Sequence, residues 1–163
     1  MQRWRHHAMN ESTRSPLIVY CDRGGMSNAV KKLRRRGIIR TIQGPYERRL
    51  RGAGNAIPSL VTADSTDLTA DSTMLISDMH YSPKHSNIVE IIADPSNLKR
   101  TRNDALHLDS AVKSHAHAFV TSDKRDIVRH REKLESLLNL RIFHMPLEER
   151  QFLGWIDKQR NET

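Results

Sequence analysis

Short apolar runs and segments of helical periodicity alternate along most of the chain. Continuous runs of apolar and β-branched residues, which are typical of buried strands, occupy residues 17–21, 38–43, 118–122 and 140–145. Apolar residues recur at helical spacing in four other segments, which predict helices from Ser27 or Asn28 to Gly37, from Asp104 to about His115, over residues 128–138 and over residues 148–156. Residues 87–93 fit a strand and a helix equally well.

The order of these segments predicts the fold class. The first strand, the first helix and the second strand together span about 27 residues, a length typical of a compact βαβ unit. Such a unit joins parallel strands, because its crossover helix returns the chain to the starting edge of the sheet. The sequence therefore predicts an α/β protein, folded as a three-layer α/β/α sandwich with a mainly parallel central sheet.

A single domain is the expected organisation. The 163 residues suffice for one hydrophobic core, which we assign to residues 16–158. Residues 1–15 are polar and predict a disordered leader, and residues 159–163 predict a short tail. Residues 57–87 predict an irregular segment rich in Ser, Thr and Asp, in which the motif Thr-Ala-Asp-Ser-Thr occurs twice.

The apolar content and the cysteine content exclude several classes of protein. The longest apolar stretches are only a few residues long, whereas a membrane-spanning helix needs about 20. No apolar segment follows the basic start of the chain, so a secretory signal is not predicted. The single cysteine, Cys21, cannot form an internal disulfide or a cysteine zinc site, and it suits a reducing compartment. A cytoplasmic protein is therefore expected.

Positive charge is concentrated in the first third of the chain. Lys and Arg total 27 against 19 Asp and Glu, which gives a net charge of +8. Residues 1–54 carry 13 basic and 3 acidic residues, whereas residues 55–96 carry 1 basic and 6 acidic residues. This distribution predicts a partner that carries phosphates, and a solvated surface is the alternative. The candidate nucleic-acid-binding residues are Lys31, Lys32, Arg34, Arg35, Arg36, Arg48 and Arg49.

Four acidic residues are candidates for chemistry at one edge of the sheet. Asp22 and Asp123 directly follow predicted strands, Glu47 follows the second strand, and Asp104 is placed on the first turn of the predicted helix before Asp123. In open parallel sheets the functional crevice lies beyond the carboxyl ends of the strands. Carboxylates that converge there repel one another unless a cation intervenes, and their hard oxygen atoms favour Mg²⁺ or Mn²⁺. Taken singly, each acid also fits a helix cap, a turn or a surface ion pair.

Two other groups of residues have weaker chemical alternatives. His115 and His117 are spaced like metal ligands on a strand, but they lie at the opposite end of the strand from Asp123 and are expected to be turn residues. Gly24 and Gly25 can present backbone N–H groups to a phosphate, although they lack the spacing of a nucleotide-binding loop.

The segment from Asn103 to Ile127 resembles the C-terminal half of a PIN domain. In that family an aspartate is followed by a helix with a small residue and by a short apolar strand that ends in Thr-x-Asp. The residues at those positions here are Asp104, Ala111, Thr121 and Asp123. The resemblance covers about residues 100–157. It implies a metal-dependent nuclease fold that usually acts on RNA, and toxins of the VapC type are the best-known small members.

The resemblance implies a divalent-metal-dependent ribonuclease with an acidic site. Its catalytic residues would be Asp22, Glu47, Asp104 and Asp123. Three of them, Asp22, Asp104 and Asp123, would hold Mg²⁺ or Mn²⁺. Thr121 and Asp126 would contact these ligands without binding the metal themselves. The expected partners are RNA or another nucleic acid, an acidic protein or antitoxin, and a second copy of the chain in a homodimer.

The alternative is a catalytically inactive PIN-like protein that binds nucleic acid or a protein partner. It follows from the residues after Asp22, which are Arg23, Gly24 and Gly25, where the family has small polar residues. The fold would be the same, but the acidic cluster would not cleave RNA.

Overall fold

The computed structural model describes residues 15–22, 24–43, 62–63 and 81–162. Some of the predictions fall on other parts of the chain. Glu47, Arg48 and Arg49 lie outside the described residues, as do nearly all of the predicted leader and most of the predicted irregular segment.

Four of the five strands in the central sheet are parallel. β1 (Leu17–Cys21) pairs in parallel with β2 (Ile39–Gln43) on one side and with β4 (Ala118–Thr121) on the other, and β4 pairs in parallel with β5 (Arg141–His144). β3 (Thr62–Ala63) is a two-residue antiparallel strand beside β2, so the order is β3-β2-β1-β4-β5. The four predicted strands and the mainly parallel α/β architecture are confirmed.

Five helices are present in the described residues, and they connect or follow the strands. They are α1 (Asn28–Arg35), α2 (His85–Ile92), α3 (Leu98–Lys113), α4 (Arg131–Leu138) and α5 (Glu149–Glu162). The segment that fitted a strand and a helix equally well lies in α2, where Ile88 and Ile92 are one turn apart and both buried. Within the described residues, no helix is both long enough and apolar enough to span a membrane.

The start of α3 differs from the prediction. The helix begins at Leu98 rather than at Asp104, and its cap is Asn97, whose side chain accepts a hydrogen bond from the backbone N–H of Arg100 at 3.1 Å. A turn closed by the hydrogen bond from the Asn97 N–H to the Asp94 carbonyl places Asn97 at this position. Asn103, which directly precedes the predicted start and would have capped it, therefore lies inside the helix, and Asp104 lies one turn after Arg100.

Two boundaries near the C-terminus also differ from the prediction. The helix expected over residues 128–138 is divided into a 3₁₀ turn (Val128–His130) and α4. α5 continues to Glu162, so most of the residues assigned to a tail belong to this helix.

Helices cover both faces of the sheet. Neighbouring residues of a strand point to opposite faces, and here both sets are buried in apolar clusters. The cluster on one face joins strand residues to α1 and α5, and it includes Val19, Cys21, Val30, Leu33, Phe152 and Ile156. The cluster on the other face joins strand residues to α2, α3 and α4, and it includes Tyr20, Phe119, Ile88, Leu108, Leu134 and Ile142. The described elements therefore form three layers, with the sheet in the middle.

β1 and β4 meet where the connections of the sheet change direction. The chain passes from β1 through α1 to β2 on one side, and it later reaches β4 on the other side through α3. Ligands of open α/β sheets bind beyond the carboxyl ends of the strands at such a point. Because Cys21 is in register with Val120, the residues that follow them, Asp22 and Thr121, emerge side by side.

Candidate metal centre

Asp22 is held at the end of β1 by donors from its own turn and from β4. Its Oδ1 accepts hydrogen bonds from the backbone N–H groups of Gly24 at 3.1 Å and Gly25 at 3.0 Å, and its Oδ2 accepts one from the Thr121 hydroxyl. Burial raises the pKa of Asp22, and these hydrogen bonds offset only part of that effect. The two glycine N–H groups bind Asp22, which argues against the alternative that they cradle a phosphate.

Gly25 is required by the close approach of β4. A Cβ atom at this position would lie 2.1 Å from the carbonyl oxygen of Val120, which is backbone and cannot move aside easily. The glycines after Asp22 therefore serve the packing of the β1 turn against β4.

Asp123 closes the turn that follows β4. Its N–H donates to the Thr121 hydroxyl at 2.8 Å, and its Oδ1 accepts the backbone N–H groups of Arg125 at 2.8 Å and Asp126 at 3.1 Å. Burial alone raises the pKa of Asp123, but the hydrogen bonds from the Asp126 amide and from Arg100 outweigh burial and leave the pKa below its usual value. Asp123 is therefore ionised at neutral pH.

Three carboxylates converge at this turn. One oxygen each of Asp104, Asp123 and Asp126 lies within 4.8 Å of the others. The predicted metal set of Asp22, Asp104 and Asp123 shares two members with this group, which contains Asp126 and not Asp22. Asp126 was expected to support the ligands from outside. Asp22 borders the same cleft but is not one of the three.

Asp104 is the least satisfied of the three acids. Its Oδ2 is buried and has no hydrogen-bond partner among the described residues. Burial, reinforced by the charges of Asp123 and Asp126, raises the pKa of Asp104 to about 7. A buried carboxylate oxygen with no donor is one that a cation can satisfy.

Arg100 lies among the three carboxylates, and the sequence analysis did not anticipate it. Its Nη2 is 2.5 Å from Asp123 Oδ2, and its Nε is 2.5 Å from Asp126 Oδ2. Asp104 Oδ2 is 3.9 Å from Nε, which is too long for a hydrogen bond. One guanidinium therefore faces three carboxylates, and the formal charge of these four side chains is negative.

All of these residues except Asp126 line an open cleft of about 460 Å³. The cleft is lined by Asp22, Gly24, Arg100, Asp104, His107, Ser122, Asp123, Lys124, Arg125 and Ile127. Lys124 and Arg125 are exposed, so two cations stand beside the acids. They were missing from the predicted nucleic-acid-binding set, although their position directly after Asp123 was a usable signal.

The predicted basic residues of α1 lie elsewhere. Lys31, Lys32 and Arg35 are exposed on α1, and Arg36 is exposed just after it. Arg34 is half-buried. None of them lines the cleft. α1 leaves the carboxyl edge of the sheet and is about 12 Å long, so its last turn points away from the acids.

The two histidines before β4 have structural roles. The Nδ1 atom of His117 accepts a hydrogen bond from the Ile18 N–H at 3.0 Å, which aligns the starts of β1 and β4. His115 has a positive φ of 52° in the turn after α3. Both lie at the opposite edge of the sheet from Asp123, as expected for turn residues.

No model of a known protein family, no curated protein and no solved structure matches this chain. The chemistry of the cleft follows from its atoms. Its candidate ligands are all carboxylate oxygens, which suit a hard divalent cation such as Mg²⁺ or Mn²⁺. The unsatisfied oxygen of Asp104 and the excess of negative charge fit such an ion.

Proposed function

We propose that the protein is a divalent-metal-dependent ribonuclease with a PIN-like α/β fold. The observation that carries the proposal is the convergence of Asp104, Asp123 and Asp126 at the edge of an open cleft, which Asp104 and Asp123 line. The cleft lies at the carboxyl ends of β1 and β4, where ligands of open α/β sheets bind. Asp22 adds a fourth carboxylate beside them.

The positions that carry the PIN resemblance have roles that agree with the proposal. Ala111 is fully buried in the apolar cluster that joins α3 to the sheet, and a small residue favours close packing there. Thr121 contacts both Asp22 and the Asp123 amide. Glu47 remains a candidate from the sequence, outside the described residues.

The four acids are assigned different roles because their surroundings differ. Asp104, Asp123 and Asp126 would hold Mg²⁺ or Mn²⁺. Such an ion, when bound, activates a water molecule and stabilises negative charge on a scissile phosphate. Asp22 is fixed by three hydrogen bonds at the side of the cleft, and we assign it to the orientation of water by hydrogen bonding.

The cations beside the cleft fit a phosphate-bearing substrate. Lys124 and Arg125 are exposed next to Asp123 and can pair with phosphates on either side of the bond that is cleaved. The basic residues of α1 add positive charge elsewhere on the surface. Binding would depend on the charge of the RNA backbone, because only 5% of the residues are aromatic and base stacking has few candidates.

The test is cleavage of a mixed-sequence RNA by purified protein in Mn²⁺, in Mg²⁺ and in EDTA. We expect cleavage with either metal and none in EDTA. Asp104→Asn and Asp123→Asn should each abolish cleavage and the stabilisation of the protein by Mn²⁺ in thermal melts. The matched control is Asp157→Asn, which makes the same chemical change on the exposed side of α5 and should cleave normally. Full activity in both cleft variants would refute the proposal.

A non-catalytic nucleic-acid-binding protein is the second candidate. Arg100 favours it, because a guanidinium that already neutralises two of the acids reduces their demand for a metal ion. Such a protein would bind RNA equally well in Mn²⁺ and in EDTA, without cleavage. An antitoxin-controlled toxin is a third possibility from the sequence, and growth inhibition by the wild type that Asp123→Asn relieves would support it.

A further inference from the structure

Arg100 occupies the space that a metal ion would need. Its Nε and Nη2 atoms are each 2.5 Å from an oxygen of Asp126 and Asp123. The same two residues, with Asp104, form the candidate ligand set. A Mg²⁺ ion requires oxygen ligands at about 2.1 Å, so an ion and this guanidinium cannot both lie among these carboxylates.

We propose that Arg100 is a built-in counter-cation that fills the divalent-metal site when no ion is bound and leaves it when an ion binds. The inference rests on the metal site of the proposed function. It makes Arg100 a competitor of the metal, and it predicts that the protein binds metal more weakly than its carboxylates alone would allow.

The position of Arg100 in α3 supports this role. Arg100 is in the first turn of the helix, where the positive end of the helix dipole disfavours a cation. The carboxylates around it supply the compensating attraction. Its side chain is 36% exposed at an open cleft, so the guanidinium has a path into solvent. Among the described residues, the side chain of Arg100 forms ion pairs with the three acids and a hydrogen bond with Asp123, and these contacts can be broken without unfolding the helix.

The experiment measures Mn²⁺ binding by isothermal titration calorimetry on the intact chain. Arg100→Gln should bind Mn²⁺ at least about tenfold more tightly than the wild type, because the charged hydrogen bonds no longer have to be broken. The matched control is Arg102→Gln, which removes the same charge from an exposed position of α3 and should change the affinity by less than about threefold. Unchanged or weaker binding by Arg100→Gln would overturn the proposal.

A second variant and a second measurement guard against a folding defect. Arg100→Lys keeps the charge but loses the planar fork, so its Mn²⁺ affinity should lie between those of the wild type and Arg100→Gln. In EDTA, Arg100→Gln should melt at a lower temperature than Arg102→Gln, and saturating Mn²⁺ should remove this difference. Equal melting temperatures of the two variants in EDTA would contradict the counter-cation role.

The outcomes separate this inference from the proposed function. If the protein never cleaves RNA but Arg100→Gln binds Mn²⁺ more tightly than the wild type, the inference about Arg100 stands and the ribonuclease proposal is refuted. If the protein cleaves RNA but Arg100→Gln binds Mn²⁺ no more tightly than the wild type, only the inference about Arg100 is refuted.

Discussion

The hydroxyl group of Thr121 donates a hydrogen bond to the carboxylate of Asp22, which lies 99 residues earlier in the chain. The same oxygen accepts the backbone N–H of Asp123 at 2.8 Å. Thr121 is fully buried, so neither bond is exchanged easily with water. One side chain therefore joins the ends of β1 and β4 and fixes the distance between the two acids that follow these strands.

Replacing Thr121 with valine tests this connection. Thr121→Val keeps the shape of the side chain but removes the donor to Asp22, which is already costly to ionise because it is buried. We expect a loss of about 1–3 kcal/mol in the free energy of unfolding, measured by urea denaturation at pH 7. Thr121→Ser keeps the hydroxyl and should recover most of the loss. Equal stability of Thr121→Val and the wild type would show that the bond contributes nothing.

The packing of the β1 turn against β4 predicts opposite effects of one substitution at two glycines. Gly25→Ala places a Cβ atom 2.1 Å from the Val120 carbonyl oxygen and should destabilise the protein by about 1–3 kcal/mol. Gly154→Ala, in α5, meets no atom within 4 Å and should stabilise it by about 0.5–1 kcal/mol. Both variants are compared by thermal and urea unfolding. A harmless Gly25→Ala would mean that the turn can move away from β4.

His107 predicts a dependence of stability on pH. Burial lowers the pKa of His107 to about 4, whereas an unfolded chain has a histidine pKa near 6.5. As the pH falls, the histidine of the unfolded chain therefore binds a proton before His107 of the folded protein does. The contribution of the neutral ring to the free energy of unfolding is complete above about pH 6.5 and is lost as the pH falls towards 4. The loss is about 3 kcal/mol at most.

The measurement compares the wild type with His107→Gln by urea unfolding at pH 7 and pH 4.5, in EDTA. Groups other than His107 contribute equally to both proteins, so the difference in unfolding free energy isolates this residue. The wild type should lose more stability on acidification than the variant does. A difference that stays constant with pH, or a His107 ring that titrates near 6.5 by NMR, would contradict the prediction.

The exposed cations beside Asp123 predict a salt-dependent RNA affinity. The double variant Lys124→Gln, Arg125→Gln should bind single-stranded RNA more weakly, and the slope of log affinity against log salt should fall by about 1.4, at about 0.7 for each phosphate contact. The control is Lys113→Gln, Lys158→Gln, which removes two charges near the ends of α3 and α5 at the opposite edge of the sheet. Fluorescence anisotropy between about 50 and 200 mM salt gives both slopes. Equal slopes for the two double variants would mean that RNA does not contact Lys124 and Arg125.

The strands and the positions of Asp22 and Asp123 could be predicted because they depend on local patterns. A buried strand is a short run of apolar residues, and the residue after it must lie at the carboxyl edge of the sheet. The start of α3 was predicted wrongly because two asparagines, Asn97 and Asn103, both fit a helix cap. The turn in which the Asn97 N–H donates to the Asp94 carbonyl makes Asn97 the cap. A hydrogen bond of this kind leaves no trace in the apolar periodicity of the sequence.

The sequence by itself determined the parallel α/β architecture and placed acidic residues at the ends of two strands, because strand periodicity and chain order are sufficient for both. Only the tertiary structure decided which carboxylates meet. Asp126 joins Asp104 and Asp123 because the turn after β4 folds back on Asp123 Oδ1. Arg100 lies among them because α3 begins at Leu98, which puts Arg100 one turn before Asp104 and facing that turn. Distances between side chains from separate elements depend on how those elements pack, and no local pattern encodes them.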